Sequence, residues 1–146
     1  MRRLIRIWCC AALLCAIAAR PALAVCQFAT TALAFGVVDV ARGADSTGEI
    51  AVSCQTATSF EVAIVGNGSP GNRYLSGPDG ARLTYDVYPD ATRSVPWTDG
   101  SGSGAVVAAS GNGDETTRLS IYGRVPIQKA VPAGQYLDSL TVSVTF

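Results

Sequence analysis

In four runs between residues 48 and 125 and again in the closing run, apolar side chains return at every second position, and this period of two limits what the chain can become. In "GEIAVSCQ" (48–55), Ile50, Val52 and Cys54 share one face, with Glu49, Ala51 and Ser53 on the other. "SFEVAIVG" aligns Phe60, Val62 and Ile64; "RLTYDVY" aligns Leu83, Tyr85 and Val87; "TRLSIYGRV" aligns Leu119, Ile121 and Val125 against Arg118, Ser120 and Arg124. The closing run sets Tyr136, Leu140, Val142, Val144 and Phe146 on one side, broken by Asp138 near its start. Such alternation predicts strands with one buried face. Between the runs lie "GNGSPGN" (66–72), "SGPDG" (76–80), "TDGSGSG" (98–104) and "SGNGDE" (110–115). Their Gly, Pro, Asn, Asp and Ser favour turns through positive φ, fixed φ or side-chain bonds to backbone. About seven short strands in one domain predict an antiparallel β-sandwich.

The first residues read differently. "MRRLIRI" is basic, "WCCAALLCAIAA" is apolar, and "RPALA" places small residues at Ala22 and Ala24. This is the pattern of a secretory leader cut after Ala24, so the domains are a leader over 1–24 and a sandwich over 25–146. The apolar run is short of the ~20 residues of a membrane span, and no span is expected in the mature chain. Leu14 and Val25, ahead of Cys15 and Cys26, are too large for a lipoprotein signal. The mature part holds seven basic against eleven acidic residues, a formal net charge of −4. With no basic patch, nucleic acid is not an expected partner. Cys26 and Cys54 remain in it, and in an oxidising compartment they are expected to pair. A metal site is the poorer reading of two thiolates in a chain without histidine.

The missing histidine also removes Ser-His-Asp and Cys-His catalysis. No glycine-rich loop continues into Gly-Lys-Ser/Thr, so none reads as a phosphate cradle. A glycosidase needs two carboxylates across a cleft, and nothing marks two among Asp86, Asp90, Asp99, Asp114, Glu115 and Asp138. "GNGDE" does not have EF-hand spacing. No enzyme and no cofactor is expected. Among the aromatics, parity puts Tyr85 and Tyr136 in the core and Tyr88 and Tyr122 outward, where they can pair across strands. Trp97, in "SVPWTDG", either packs over the sandwich end or stands exposed as a surface binding residue; packing is preferred, because Trp is buried on average.

Three stretches are more specific than their physics. "CQFATTALAFGVVDV" (26–40) resembles the opening of spore coat protein U-like domains, a cysteine followed by a short strand ending in Phe-Gly, here Phe35 and Gly36. "LTYDVYPDATRSVPWTDGSG" (83–102) is similar to that family's Leu-x-Tyr-x-Leu-Tyr-x-Asp-Ala stretch followed by Trp-x-Asp-Gly. "IYGRVPIQKAVPAGQYLDSLTVSVTF" (121–146) resembles its Tyr-Gly-Arg-Ile-Pro segment, its Pro-Ala-Gly-x-Tyr-x-Asp and its closing strand, and Cys54 falls at its second cysteine.

The family includes subunits of archaic chaperone–usher pili, so the resemblance implies an all-β, incomplete immunoglobulin-like sandwich whose final strand a partner supplies by strand addition. The implied partners are a periplasmic chaperone, an outer-membrane usher and neighbouring pilin subunits. The implied location is a cell-surface fimbrium, reached through the periplasm, and the implied role is adhesion and biofilm support. The groove for the partner strand would run along Tyr136, Leu140, Val142, Val144 and Phe146. A strand inserting four apolar side chains contributes about 6–12 kcal/mol, against a domain stability of about 5–15 kcal/mol, so the unpartnered fold is expected to be marginal. Cleavage after Ala24 leaves only Val25 ahead of Cys26, where a donor strand needs about ten residues. A terminal, tip or minor subunit that accepts a strand without donating one is therefore expected. The competing expectation is a self-complete secreted module that binds a carbohydrate or surface ligand.

Overall fold

A computed structural model describes residues 25–113 and 115–146; the expected leader and its cleavage point at Ala24 lie outside them. Among the described residues eight strands form two sheets. They are β1 (Cys26–Thr31), β2 (Ala44–Cys54), β3 (Ala57–Val65), β4 (Arg73–Ser76), β5 (Arg82–Tyr88), β6 (Val107–Asn112), β7 (Thr116–Val125) and β8 (Thr141–Thr145). One sheet has the order β1-β2-β7-β5-β4, the other β6-β3-β8. Every pairing between these strands is antiparallel. This is an immunoglobulin-like sandwich in which, among the described residues, no strand lies on the outer side of β8.

The expected inward rows make the core. Ile50, Val52 and Cys54 of β2 meet Phe60, Val62 and Ile64 of β3, Leu83, Tyr85 and Val87 of β5, and Ile121 and Val125 of β7, all buried. Each apolar side chain so buried stabilises the fold by about 1.5–3 kcal/mol. Cys26 and Cys54 are directly paired in the β1–β2 register and disulfide-bonded. Tyr88 and Tyr122 lie opposite each other across β5 and β7, as parity requires.

One end of the sandwich is held by a buried polar clamp. The Arg73 guanidinium donates to Asp86 Oδ1 (2.7 Å), Ile64 O (2.7 Å) and Trp97 O (2.7 Å). Trp97 is fully buried and donates its Nε1–H to Val62 O at 2.8 Å. That position corrects the surface-binding reading of Trp97: the indole is a core group, and its one polar atom is spent inside.

Two strand limits also differ from expectation. The closing strand starts at Thr141, so Tyr136 precedes it. Leu137 bridges to Ser76 of β4 in the five-stranded sheet, whereas β8 pairs with β3 in the other. Residues 137–140 therefore cross between sheets, and Tyr136 instead donates its hydroxyl to Pro132 O. The opening strand ends at Thr31 rather than at Phe35–Gly36. Beyond it the chain leaves the β1 edge and turns inward over the sheet, and Gly36 takes a positive φ of 66°.

Candidate functional site: an open cleft between two strand edges

A two-sheet sandwich has four strand edges, and an unprotected edge invites pairing with another chain. Two are blunted here. At β4, Ser76 and Leu137 exchange backbone hydrogen bonds of 2.7 and 3.0 Å. At β6, Thr117 Oγ1 donates to Ser110 O, and Gly111 packs on the disulfide. The other two edges, β1 and β8, border a cleft of about 300 Å³ on one flank. One wall is formed by Thr30 to Leu33 and Phe35, the other by Asp138 to Leu140 and Val142, and the floor by Leu75, Tyr85 and Ile121.

Side-chain parity shows that this flank is unfinished. Cys26 must face inward to reach Cys54, so Phe28 and Thr30 face inward too. Phe28 pairs with the buried Val52 and Thr30 with the buried Ile50. Yet Phe28 is 51% exposed. On β8, Val144 lies opposite the buried Val62. One step on, Phe146 sets its ring 6.1 Å from that of buried Phe60 and remains 59% exposed. Two inward aromatic residues are half in water because no described residue lies over them between the two edges.

A polar clasp marks the lower end of the cleft. Asp138 accepts from Tyr85 Oη–H at 2.5 Å, from Asn67 N–H at 3.1 Å and from Ser139 N–H at 2.7 Å. Burial, and then the hydrogen bond to Asp138, push the Tyr85 phenol far above its ordinary range. The clasp fixes where the crossing segment ends and β8 begins, and so positions the β8 edge. It also explains the acidic residue that breaks the closing alternation.

Of the groove residues expected from the sequence, Leu140, Val142 and Val144 are half-buried against the core. Leu140 and Val142 line the cleft, Phe146 lies farther along the same edge, and Tyr136 is not part of the strand. The opposite wall was not anticipated. The parity of Cys26 would have found Phe28 and Thr30. The glycines that interrupt inward rows at Gly48 and Gly123 were the sign that Leu33 and Phe35 come close.

A protein-family model described as "Spore Coat Protein U domain" matches residues 13–143. The chain belongs to the spore coat protein U domain family. Within the curated proteins, Protein U of Myxococcus xanthus is 31% identical over 122 residues, covering 75% of this chain and 66% of that protein. Among solved structures, this spore coat protein U domain superposes on a chain of the CsuC–CsuE chaperone–tip adhesion subunit pre-assembly complex from the archaic chaperone–usher Csu pili of Acinetobacter baumannii. The TM-score is 0.61 at 20% identity, over 85% of this chain and 40% of that one. The chain thus spans two thirds of one relative at most and well under half of the other. Among the described residues no helix is long and apolar enough to cross a membrane.

Proposed function

We propose that this protein is an exported structural subunit of a chaperone–usher fibre or surface coat, completed when a partner's β-strand enters the cleft between β1 and β8. The observation that carries this is the pair of inward aromatics left in water, Phe28 and Phe146, on two unpaired edges. A strand seated there would satisfy both edges through backbone hydrogen bonds and cover both rings, which is recognition by strand addition. A structural neighbour crystallised with a chaperone supports the assignment of a periplasmic chaperone as the first donor. An outer-membrane usher and neighbouring subunits follow as later partners. The path runs through the periplasm to the cell surface, in a fibre that serves adhesion and biofilm. The leader pattern, with Val25 alone between its cleavage point and Cys26, favours a terminal, tip or minor position.

The test is an unfolding curve of the oxidised protein, exported with and without a co-expressed chaperone of the same assembly system. Aggregation or a broad, weak transition alone, made sharp by the chaperone, is the expected outcome. A sharp, reversible transition without any partner would return the protein to the second reading, a self-complete binding module.

A further inference from the structure

Between β1 and β2 the chain makes a strap, residues 32–38, that is neither strand nor helix. Among the described residues no backbone–backbone hydrogen bond ties positions 33–38. The Ser46 hydroxyl donates to Ala34 O at 2.6 Å. Otherwise the strap is anchored by three side chains, Leu33, Phe35 and Val38, which pack against the core, and the first two reach into the cleft. Their seats are glycines on adjacent strands. Gly48 lies opposite Ile121 and Gly123 opposite Ser46, and both continue the inward rows of β2 and β7. A Cβ on Gly123 would stand 2.2 Å from Leu33 Cδ2 and 2.8 Å from Phe35 Cζ; one on Gly48 would stand 3.5 Å from Leu33 Cδ1. Glycine weakens a strand interior and is kept there where something must approach closely. Phe35 also meets Tyr85 edge-to-face, with centroids 6.0 Å apart at 74°.

The strap therefore narrows the cleft at one end only. Leu33, Phe35 and Tyr85 line the cleft near Leu140. The end near Phe28 and Phe146 is uncovered. We infer that Leu33 and Phe35 select the incoming strand by size: its inward side chain at the level of Leu140 is small, and its large apolar side chains fall toward Phe146. This rests on the strand-acceptor reading above and adds the side-chain pattern of the partner.

The test uses the exported, oxidised protein and synthetic nine-residue peptides of alternating valine and threonine. In each peptide one inward valine is replaced by alanine or by phenylalanine. At the strap end phenylalanine binds about tenfold to a hundredfold more weakly than alanine, the cost of overpacking a site that the strap has narrowed. At the Phe146 end the order reverses. F35A removes the preference at the strap end and leaves the other end unchanged. F35L, which keeps an apolar peg, serves the same purpose if F35A does not fold, and the two-ended scan on the natural sequence needs no variant. Equal binding at both ends, or a strap-end preference that survives F35A, overturns the size rule while leaving strand capture intact. If no peptide binds under any condition, strand acceptance itself fails, and the size rule with it.

Discussion

The two sides of this sandwich are built on opposite principles. At the clamped end, Arg73, Asp86, Trp97 and Thr98 are all buried, and the guanidinium reaches three partners in three segments of chain. At the open flank two strand edges are unpaired and inward aromatics stand half in water. Low-dielectric burial strengthens each hydrogen bond at the clamp and makes any loss there costly. The flank's two edges are the ones blunted least. If the flank accepts a partner's strand, as proposed, the clamp holds the far end of the fold together before that strand arrives.

The largest test of this contrast is at the clamp. R73M leaves Asp86 buried with only the Gly71 and Val87 amides as donors. Breaking one side of a buried pair costs about 3–5 kcal/mol, a large part of the about 5–15 kcal/mol that holds a whole domain. Denaturant unfolding of the chaperone-bound protein is expected to shift by that amount or to show no folded protein. Replacing both partners, as R73M/D86L, is expected to recover part of the loss, because no buried charge then stands alone.

The disulfide joins the two regions, since it fastens β1, one wall of the cleft, to β2 of the core. Removing it as C26A/C54A opens a loop with a sequence separation of 28 and is expected to cost about 3.5 kcal/mol on the chain-entropy model. Amide exchange is expected to rise first in β1 and in the strap, and later at Trp97. Uniform loss of protection would mean that the two regions unfold as one.

At the flank itself the contrast predicts a separation of effects. F146D or F28D removes the half of a ring that is already covered, so the unpartnered protein is expected to lose about 0.7–1.5 kcal/mol. Chaperone capture is expected to weaken by more, by at least about 2 kcal/mol, because the incoming strand would bury an unpaired carboxylate in place of the ring. A titration of chaperone against each variant reads this directly. If F146D instead destabilises the free protein as much as it weakens capture, the flank is part of the finished core and the cleft is not an acceptor.

Much of this architecture was legible in the sequence, for reasons that also mark where legibility ends. The inward rows of β2, β3, β5 and β7 were visible because a strand writes its buried face with period two, and the Tyr88–Tyr122 pair followed from the same parity. Arg73 carried no such mark. It is inward because β4 pairs it with Tyr85, a register that a four-residue strand amid turn residues does not announce. Asp86 sits at an outward position of "RLTYDVY" and reads as solvated; the 66–72 loop folds over it through Gly71 N–H. The start of β8 was misjudged for a related reason. Period two continues through Tyr136 and Leu140, but the chain changes sheets at Leu137 and Asp138, and pairing across space, not pattern along the chain, decides it. Half the cleft was missed because strap residues fill space opened by distant glycines.

The smallest expected effect calibrates the others, because it lies on the outer face of the five-stranded sheet, away from both regions. Asp45 accepts two hydrogen bonds from Arg124, at 2.8 and 2.9 Å, and Arg93 approaches within 3.4 Å. The Arg124 hydrogen bond is the main cause that holds its carboxyl below the ordinary 3.8. Because the folded value is depressed, the unfolded chain binds more protons as pH falls through this range. The contribution is then present above 3.8 and is lost as pH drops through the folded value. Asp45 is about half exposed, so solvent screening keeps the pair to about 0.2–1 kcal/mol. D45N is expected to be less stable than the natural protein by that amount at pH 7, with the two unfolding curves converging toward pH 2. Taking the difference between the two proteins cancels the other carboxylates, Asp90 and Asp99 among them, whose values are also depressed by local hydrogen bonds. A gap that stayed constant down to pH 2 would mean that packing, not charge, is what Asp45 contributes. A gap near the cost of R73M would mean that the outer face shares the work assigned to the clamp, and the contrast between the two ends would have to be redrawn.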